Sequence, residues 1–484
     1  MPYDTWRPAR RPNRGTICAP KVQEARPYRG CIVGQAWPFR VVADPFRRIR
    51  PLTPAARCSA AIEVLTDIAE RRRPAADALK DWGLAHRFAG SGDRAGIASL
   101  VYDALRRRAS AAWIMGAETP RAILIGTLRL QQGLAAASVA ALFTGERFAP
   151  APLSDDERAR LDGGTLHDAP PEVAGDAPAF VLPDLAATLG DDLVPELKAL
   201  ARRAPLDIRV NALRGDRDAV LPALAAFDAA PTPHAPAGLR IPIGADGRGP
   251  ALHVEAEFLD GWYEIQDEGS QLAALLAAPR AGEIIVDLCA GGGGKTLALA
   301  AETRNEARLI ATDGDPRRLA PIHERLRRSG AVAEVRTPRS GKARADVLED
   351  LDGKVDRVVV DAPCTGSGTW RRNPDAKWRL RPGSLALRTA EQAQVLDRAA
   401  RLVRPGGRIV YITCSLLSAE NDAAVSGLLS RWRGRFDVVP AEEVLAAGPD
   451  SLRAAVRRTA HGIQMSPLRT GTDGFYVAII ARKA

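Results

Sequence analysis

Val286-Asp-Leu-Cys-Ala-Gly-Gly-Gly-Gly-Lys-Thr296 is the stretch that decides the fold. It reads as an apolar strand that runs into a glycine turn and then into a helix. Successive glycines permit positive φ and close approach of backbone to a ligand. Exposed amides at the start of the following helix suit a polar or anionic group. Working outward, apolar, β-rich runs recur at 284–288, 309–312, 332–335, 355–360, 408–413, 436–439 and 475–480, most of them separated by helical segments. Alternating strand and helix predict an α/β architecture, a mostly parallel, doubly wound Rossmann-like sheet of seven strands. The last two runs are expected to form an antiparallel edge pair. This domain is taken to span 263–484.

Two nucleotide readings of the loop fail on spacing. A phosphate-binding loop needs G-x-x-x-x-G-K-[ST], and its first glycine falls on Cys289. A dinucleotide loop needs G-x-G-x-x-G, and its last glycine falls on Thr296 or Leu297 depending on register. The order D-x-C-A-G-G-G-G suits S-adenosylmethionine better, with the loop wrapping methionine and ribose. Cys289, Ala290, Gly291, Gly292, Gly293, Gly294 and Lys295 are the candidate cofactor residues. Asp313 ends the second strand about 20 residues further on, where an acidic side chain reaches ribose hydroxyls. Asp361, at the end of the fourth strand, is assigned to the cofactor side as well as to the reacting base.

Upstream, the chain divides by composition. Residues 1–54 are basic and rich in Arg and Pro, and are expected to be disordered, because proline disfavours helix at the preceding residue. Residues 55–150 read as a helical module with basic clusters at Arg71-Arg72-Arg73 and Arg106-Arg107-Arg108. Residues 151–203 read as a linker with helices. Residues 204–262 read as a small α/β module with strands at 206–211, 238–243 and 252–258. The formal charge is +10, but residues 1–50 hold 11 Lys/Arg against 3 Asp/Glu, so the remaining 434 residues carry only +2. Any RNA surface must therefore be a local patch. No apolar run approaches the roughly 20 residues of a membrane helix, and a soluble, cytoplasmic monomer is expected. Of the six cysteines none forms a C-x-x-C pair, so neither a metal site nor a disulfide framework is expected.

Two of those cysteines stand out by position. Asp361-Ala-Pro-Cys364 follows the fourth strand, and Thr413-Cys-Ser415 ends the fifth. Ligands of doubly wound sheets sit at the carboxyl ends of the strands, and adjacent strands lie about 4.8 Å apart. Both thiols can therefore open onto one crevice, although a lone cysteine is usually a small buried hydrophobe. Thiols suit methylation of a pyrimidine carbon. A thiolate added to carbon 6 of cytosine makes carbon 5 nucleophilic, and a second thiol can assist release. Asp361 is placed to support the pyrimidine N3. The loop 366–378 carries Arg371, Arg372 and Lys377 beside Trp370 and Trp378. Cations with aromatics next to a reactive crevice suit phosphates and an extruded base.

With these motifs the chain resembles the Sun family of RNA cytosine-5 methyltransferases. The resemblance rests on Gln266-Asp-Glu-Gly-Ser-Gln271, Gly291–Thr296, Asp361-Ala-Pro-Cys364, Thr413-Cys-Ser415 and Gly471-Thr-Asp-Gly-Phe475, and covers about 200–484. It implies that Cys414 is the nucleophile, that Cys364 promotes product release, that Asp361 contacts the base and that Lys295 lines the site. It further implies S-adenosyl-L-methionine as cofactor, ribosomal RNA as partner and a NusB-like fold for the helical module. Two departures stand out: Gly291-Gly292 replaces the usual Ala-Pro, and no Gly-Asp pair follows the third strand, which leaves the adenine contact unassigned. The rival readings are a DNA cytosine methyltransferase, which would use the Pro-Cys thiol instead, and a non-catalytic RNA-binding ribosome assembly factor that retains the fold.

Overall fold

The computed structural model describes residues 51–244, 249–338 and 346–484. The expectation of disorder for 1–54 falls almost wholly outside them. The chain first forms five helices: α1 (Pro54–Arg71), α2 (Ala75–Ala85), α3 (Ser91–Arg106), α4 (Arg108–Met115) and α5 (Pro120–Leu130). Thr53 starts α1 by accepting the Ala56 amide, with Pro54 in the first turn, where its missing N–H costs nothing. Apolar faces of these helices enclose a core that includes Val64, Ile97, Val101, Leu124 and Ile125.

Short helices then run from Asp155 to Leu200. The last of them close a separate core in which Leu185, Leu189 and Leu197 pack on Trp370, Leu416 and Leu417. The linker thus buttresses the loops that follow the two candidate thiols.

The small module is a four-stranded antiparallel sheet, ordered β2 (Ala230–Pro231), β3 (Gly238–Ile241), β1 (Leu206–Val210), β4 (Tyr263–Ile265). The strand expected at 252–258 is instead a 3-10 turn and a short helix. Leu252 alone is buried there, and it lends its carbonyl to Tyr263 Oη at 3.0 Å. Tyr263, wholly buried, takes the place beside β1, so the sheet reaches Ile265 rather than ending at 262.

The large sheet has nine strands among the described residues: β5 (Ile284–Asp287), β6 (Arg308–Ala311), β7 (Glu334–Val335), β8 (Val355–Asp361), β9 (Val403–Thr413), β10 (Phe436–Val438), β11 (Arg457–Arg458), β12 (Ile463–Met465) and β13 (Phe475–Arg482). Their order is β11-β12-β13-β9-β8-β5-β6-β7, with β10 also on β13. The run β7-β6-β5-β8-β9 is parallel, and β13 is antiparallel to β9, β10 and β12. The seven expected strands are all present. Two more, β11 and β12, extend the antiparallel side, and β7 is cut to two residues. Strands as short as β11 and β12 carry too little alternation to read from sequence. Helices cover both faces, so β8 and β9 are apolar on both sides, as parallel strands generally are. Strand order reverses between β5 and β8. The crevice at that switch is where such sheets bind ligands.

Candidate active site

The glycine loop leaves β5 at Asp287 and is pinned to the end of β6 at two points. Ala290 N donates to Thr312 O, and Gly291 N donates to Asp313 Oδ2, each at 2.9 Å. Gly291 and Gly293 have φ of +50° and +86°, so side chains are disfavoured there on backbone grounds alone. A Cβ on Gly293 would lie 2.5 Å from Ile322, whereas one on Gly291 would meet Arg318 Nη2 at 3.6 Å and Asp313 Oδ2 at 3.9 Å, ordinary contact distances. Arg325 secures the loop from outside, with Nη1 to Gly292 O at 2.7 Å and Nη2 to Glu264 of β4 at 2.9 Å.

Beneath the loop, Asp287 is wholly buried. Its Oδ2 accepts from Thr296 Oγ1 at 2.7 Å, but its Oδ1 has no partner. Burial pushes this carboxyl up to about 7, against the pull of the Thr296 hydrogen bond. A glycine cradle without side chains, a buried acceptor carboxylate at its rim and an orphaned carboxyl oxygen below it fit a ligand with cationic and hydroxyl groups, as S-adenosylmethionine has. Cys289 in the same loop is not a nucleophile candidate, since burial and then the surrounding carboxylates push its thiol well up.

The two thiols meet. Cys364 Sγ and Cys414 Sγ are 3.3 Å apart, although 50 residues separate them in sequence. Strands β8 and β9 set this proximity, and their loops are laced together beyond them. Ala362 N bonds Ile412 O at 2.8 Å, Gly368 N bonds Cys414 O at 3.0 Å, and the Ser367 and Ser415 hydroxyls are 2.9 Å apart. The contact with Cys414, then burial, then the charges of Cys414 and Glu420 hold the Cys364 thiol well above its ordinary range. Beside them, Lys295 Nζ lies 2.7 Å from Asp361 Oδ2 and 3.2 Å from Ser270 Oγ, over the Phe475 ring. The structure thus brings together Cys364 with Cys414, Lys295 with Asp361, and Asp313 with the glycine loop.

The cationic loop 366–378 does not meet its expectation. Arg371 is buried and binds Asp473, Asp267 and Gly471 O, and Arg372 binds the same two aspartates and Pro205 O. Lys377 is buried, donates to Arg106 O and is pushed down to about 7 by burial. Trp370 is buried, and Trp378 Nε1 donates to Leu105 O at 2.7 Å. Phosphates cannot use cations that already hold the fold. Of the basic clusters upstream, Arg106 is buried against Arg371 O, and Arg71 and Arg73 pair with Asp67. Arg72 is exposed.

The flanking motifs acquire physical roles: Asp267 and Asp473 anchor the arginine pair, and Ser270 holds Lys295. One residue that matters here, Glu420, carries no signal of its own in the sequence. Glu420, wholly buried, binds next to both thiols. The Gly471–Phe475 motif acquires a physical role, since Gly474 stacks on Gly368 so closely that a Cβ on Gly368 would lie 2.1 Å from Gly474 O. Past the third parallel strand, Asp346 is taken by Arg398 and the Leu348 amide, and the adenine contact stays unassigned.

This strand order, with a glycine loop and an acidic residue at the switch point, defines an S-adenosylmethionine-dependent methyltransferase. Residues 274–481 match the family described as 16S rRNA methyltransferase RsmB/F. The chain is 35% identical over 342 residues to ribosomal RNA small subunit methyltransferase B of Sodalis glossinidius, covering 69% of each protein. It is 31% identical to the protein of that name from Vibrio cholerae, over 63% of this chain and 65% of that one. Among solved structures, PH0851 aligns with a TM-score of 0.63 at 22% identity, over 89% of this chain and 99% of its own. NSun6 from Pyrococcus horikoshii, solved with SFG, aligns at 0.52 and 20%, over 63% and 98%. The chain belongs to the RsmB/F family, and it is an S-adenosylmethionine-dependent RNA methyltransferase.

Proposed function

We propose that this enzyme methylates carbon 5 of cytosine in small-subunit ribosomal RNA, acting as a cytoplasmic monomer with Cys414 as nucleophile. The observation that carries the reading is the 3.3 Å contact between Cys364 and Cys414 at the ends of adjacent parallel strands. When bound, S-adenosylmethionine supplies an electrophilic methyl group. The residues of this chain do the rest. The Cys414 thiolate bonds to carbon 6, and the electron pair of the 5,6 double bond moves to carbon 5. Asp361, sharing a proton with Lys295 2.7 Å away, directs that proton to N3 as electron density arrives there. While both sulfurs are free, Cys364 keeps its proton and Cys414 is the thiolate. Once Cys414 is a neutral thioether, Cys364 gives its proton to solvent. It then takes the carbon 5 proton, the C–H pair restores the double bond, and the Cys414–carbon 6 bond breaks to return the thiolate.

An RNA path is supported by a cleft of about 680 Å³ between the helical module and the start of the helix Pro382–Leu402, where Arg72, Arg108 and Arg381 stand beside the ion-paired Arg73 and Arg379. It shares Asp375 and Arg379 with a cavity of about 340 Å³ that reaches Thr365 and Gly366 beside the thiols.

The test is transfer of labelled methyl groups to unmethylated small-subunit ribosomal RNA, with the product read by bisulfite sequencing. Cys364→Ala should accumulate a covalent protein–RNA adduct on a denaturing gel, and the double change with Cys414→Ala should not. Binding without methyl incorporation would favour the assembly-factor reading. Activity that survives Cys414→Ser but not Cys364→Ser would reverse the assignment.

A further inference from the structure

Glu420 closes the short turn Ser418–Glu420 that follows the Cys414 loop, and its side chain is wholly buried. It accepts four hydrogen bonds. Oε1 takes the Thr365 amide at 2.8 Å and Gln392 Nε2 at 3.1 Å. Oε2 takes Thr365 Oγ1 at 2.5 Å and Ser415 Oγ at 2.6 Å. Thr365 is the neighbour of Cys364, and Ser415 is the neighbour of Cys414. One carboxylate therefore ties together the two residues that flank the thiols, across a gap of 50 residues in sequence. Every partner is a donor and none is a cation, the environment that an acceptor-only carboxylate matches. Gln392 also donates to Pro363 O at 2.9 Å, so the long helix Pro382–Leu402 backs the same loop.

We propose that Glu420 is a positioning residue for methyl transfer, a bracket that holds Thr365 and Ser415 together and so keeps the Cys364 and Cys414 sulfurs in register. Its charge also helps to keep the Cys364 thiol protonated. The proposal rests on the two-thiol reading above, but the spacing of the sulfurs is measurable without RNA or cofactor.

In the full-length protein, diamide takes two electrons and two protons from the thiol pair. A Cys364–Cys414 disulfide forms, diamide becomes the hydrazine, and the linked peptides are read by mass spectrometry. Glu420→Gln keeps the size but turns an amide N–H₂ toward donors. It should slow this cross-link about ten-fold or more and lower kcat about 10²-fold, the scale of a 1 Å misplacement, with KM for RNA and for S-adenosylmethionine unchanged. Glu420→Asp, too short to reach both arms, should not rescue. Wild-type cross-linking and wild-type kcat in folded Glu420→Gln would overturn the proposal. If that variant does not fold, wild-type cross-linking in both Thr365→Val and Ser415→Ala would overturn it equally. A wild-type protein that cross-links quickly yet transfers no methyl group counts against the reading under Proposed function, while the cross-linking comparison still decides the bracket.

Discussion

Asp287 shows what a buried, half-paired carboxyl costs the resting fold. Its carboxyl is buried with one oxygen unpaired and is pushed up to about 7. The folded chain therefore holds a proton there that the unfolded chain releases near pH 4, so stability falls as pH rises between about 4 and 7. Asp287→Asn cannot titrate and keeps an acceptor for Thr296. Without cofactor, its melting temperature relative to wild type should rise from pH 5 to pH 8. A constant difference across that range would show that Asp287 does not titrate there. Cys364 and Cys414 make the opposite point. Each alone would read as an ordinary buried thiol, and only their contact singles them out as the pair on which the proposed chemistry rests.

Elements matter through their ends. The parallel strands β5, β6, β8 and β9 each deliver one polar group to the crevice: Asp287, Asp313 just past β6, Asp361, and Cys414 just past β9. The small sheet contributes from the side, as Glu264 on β4 grips Arg325, which grips Gly292 O. A hydrogen bond to a charged group is worth about 1.5–3 kcal/mol. Arg325→Ala should therefore raise KM for S-adenosylmethionine about ten-fold, with RNA affinity unchanged. Isothermal titration of each ligand would separate the two effects, and an unchanged cofactor affinity would deny the latch its role. The segment Gln266–Gln271 is the seam between the two sheets. Gln266 meets Arg209, Asp267 the arginine pair, Glu268 meets Arg240, and Ser270 meets Lys295.

At the scale of the molecule the cations divide into those that hold the fold and those left for RNA. Removing one partner from a buried ion pair costs about 3–5 kcal/mol. Arg371→Ala should lower stability by that order, and the folded fraction should bind RNA with an unchanged salt slope. Arg72→Gln and Arg381→Gln should leave melting unchanged, weaken RNA binding and each reduce the salt slope by about 1. The reverse pattern would return the loop 366–378 to its expected role on the RNA.

What the sequence by itself determined is the parallel half of the sheet, the glycine loop at its switch point and the thiols at two strand ends. Long apolar runs and glycine turns are local features, and the carboxyl ends of parallel strands are where such folds place ligands. Only the tertiary structure decided which charges are free. Arg371, Arg372 and Lys377 look like an RNA patch in one dimension, because their partners Asp267, Asp473 and Arg106 lie about a hundred residues or more away. Glu420 was hidden for the same reason. Its task joins Thr365 to Ser415, and burial and pairing across such separations leave no periodic trace along the chain.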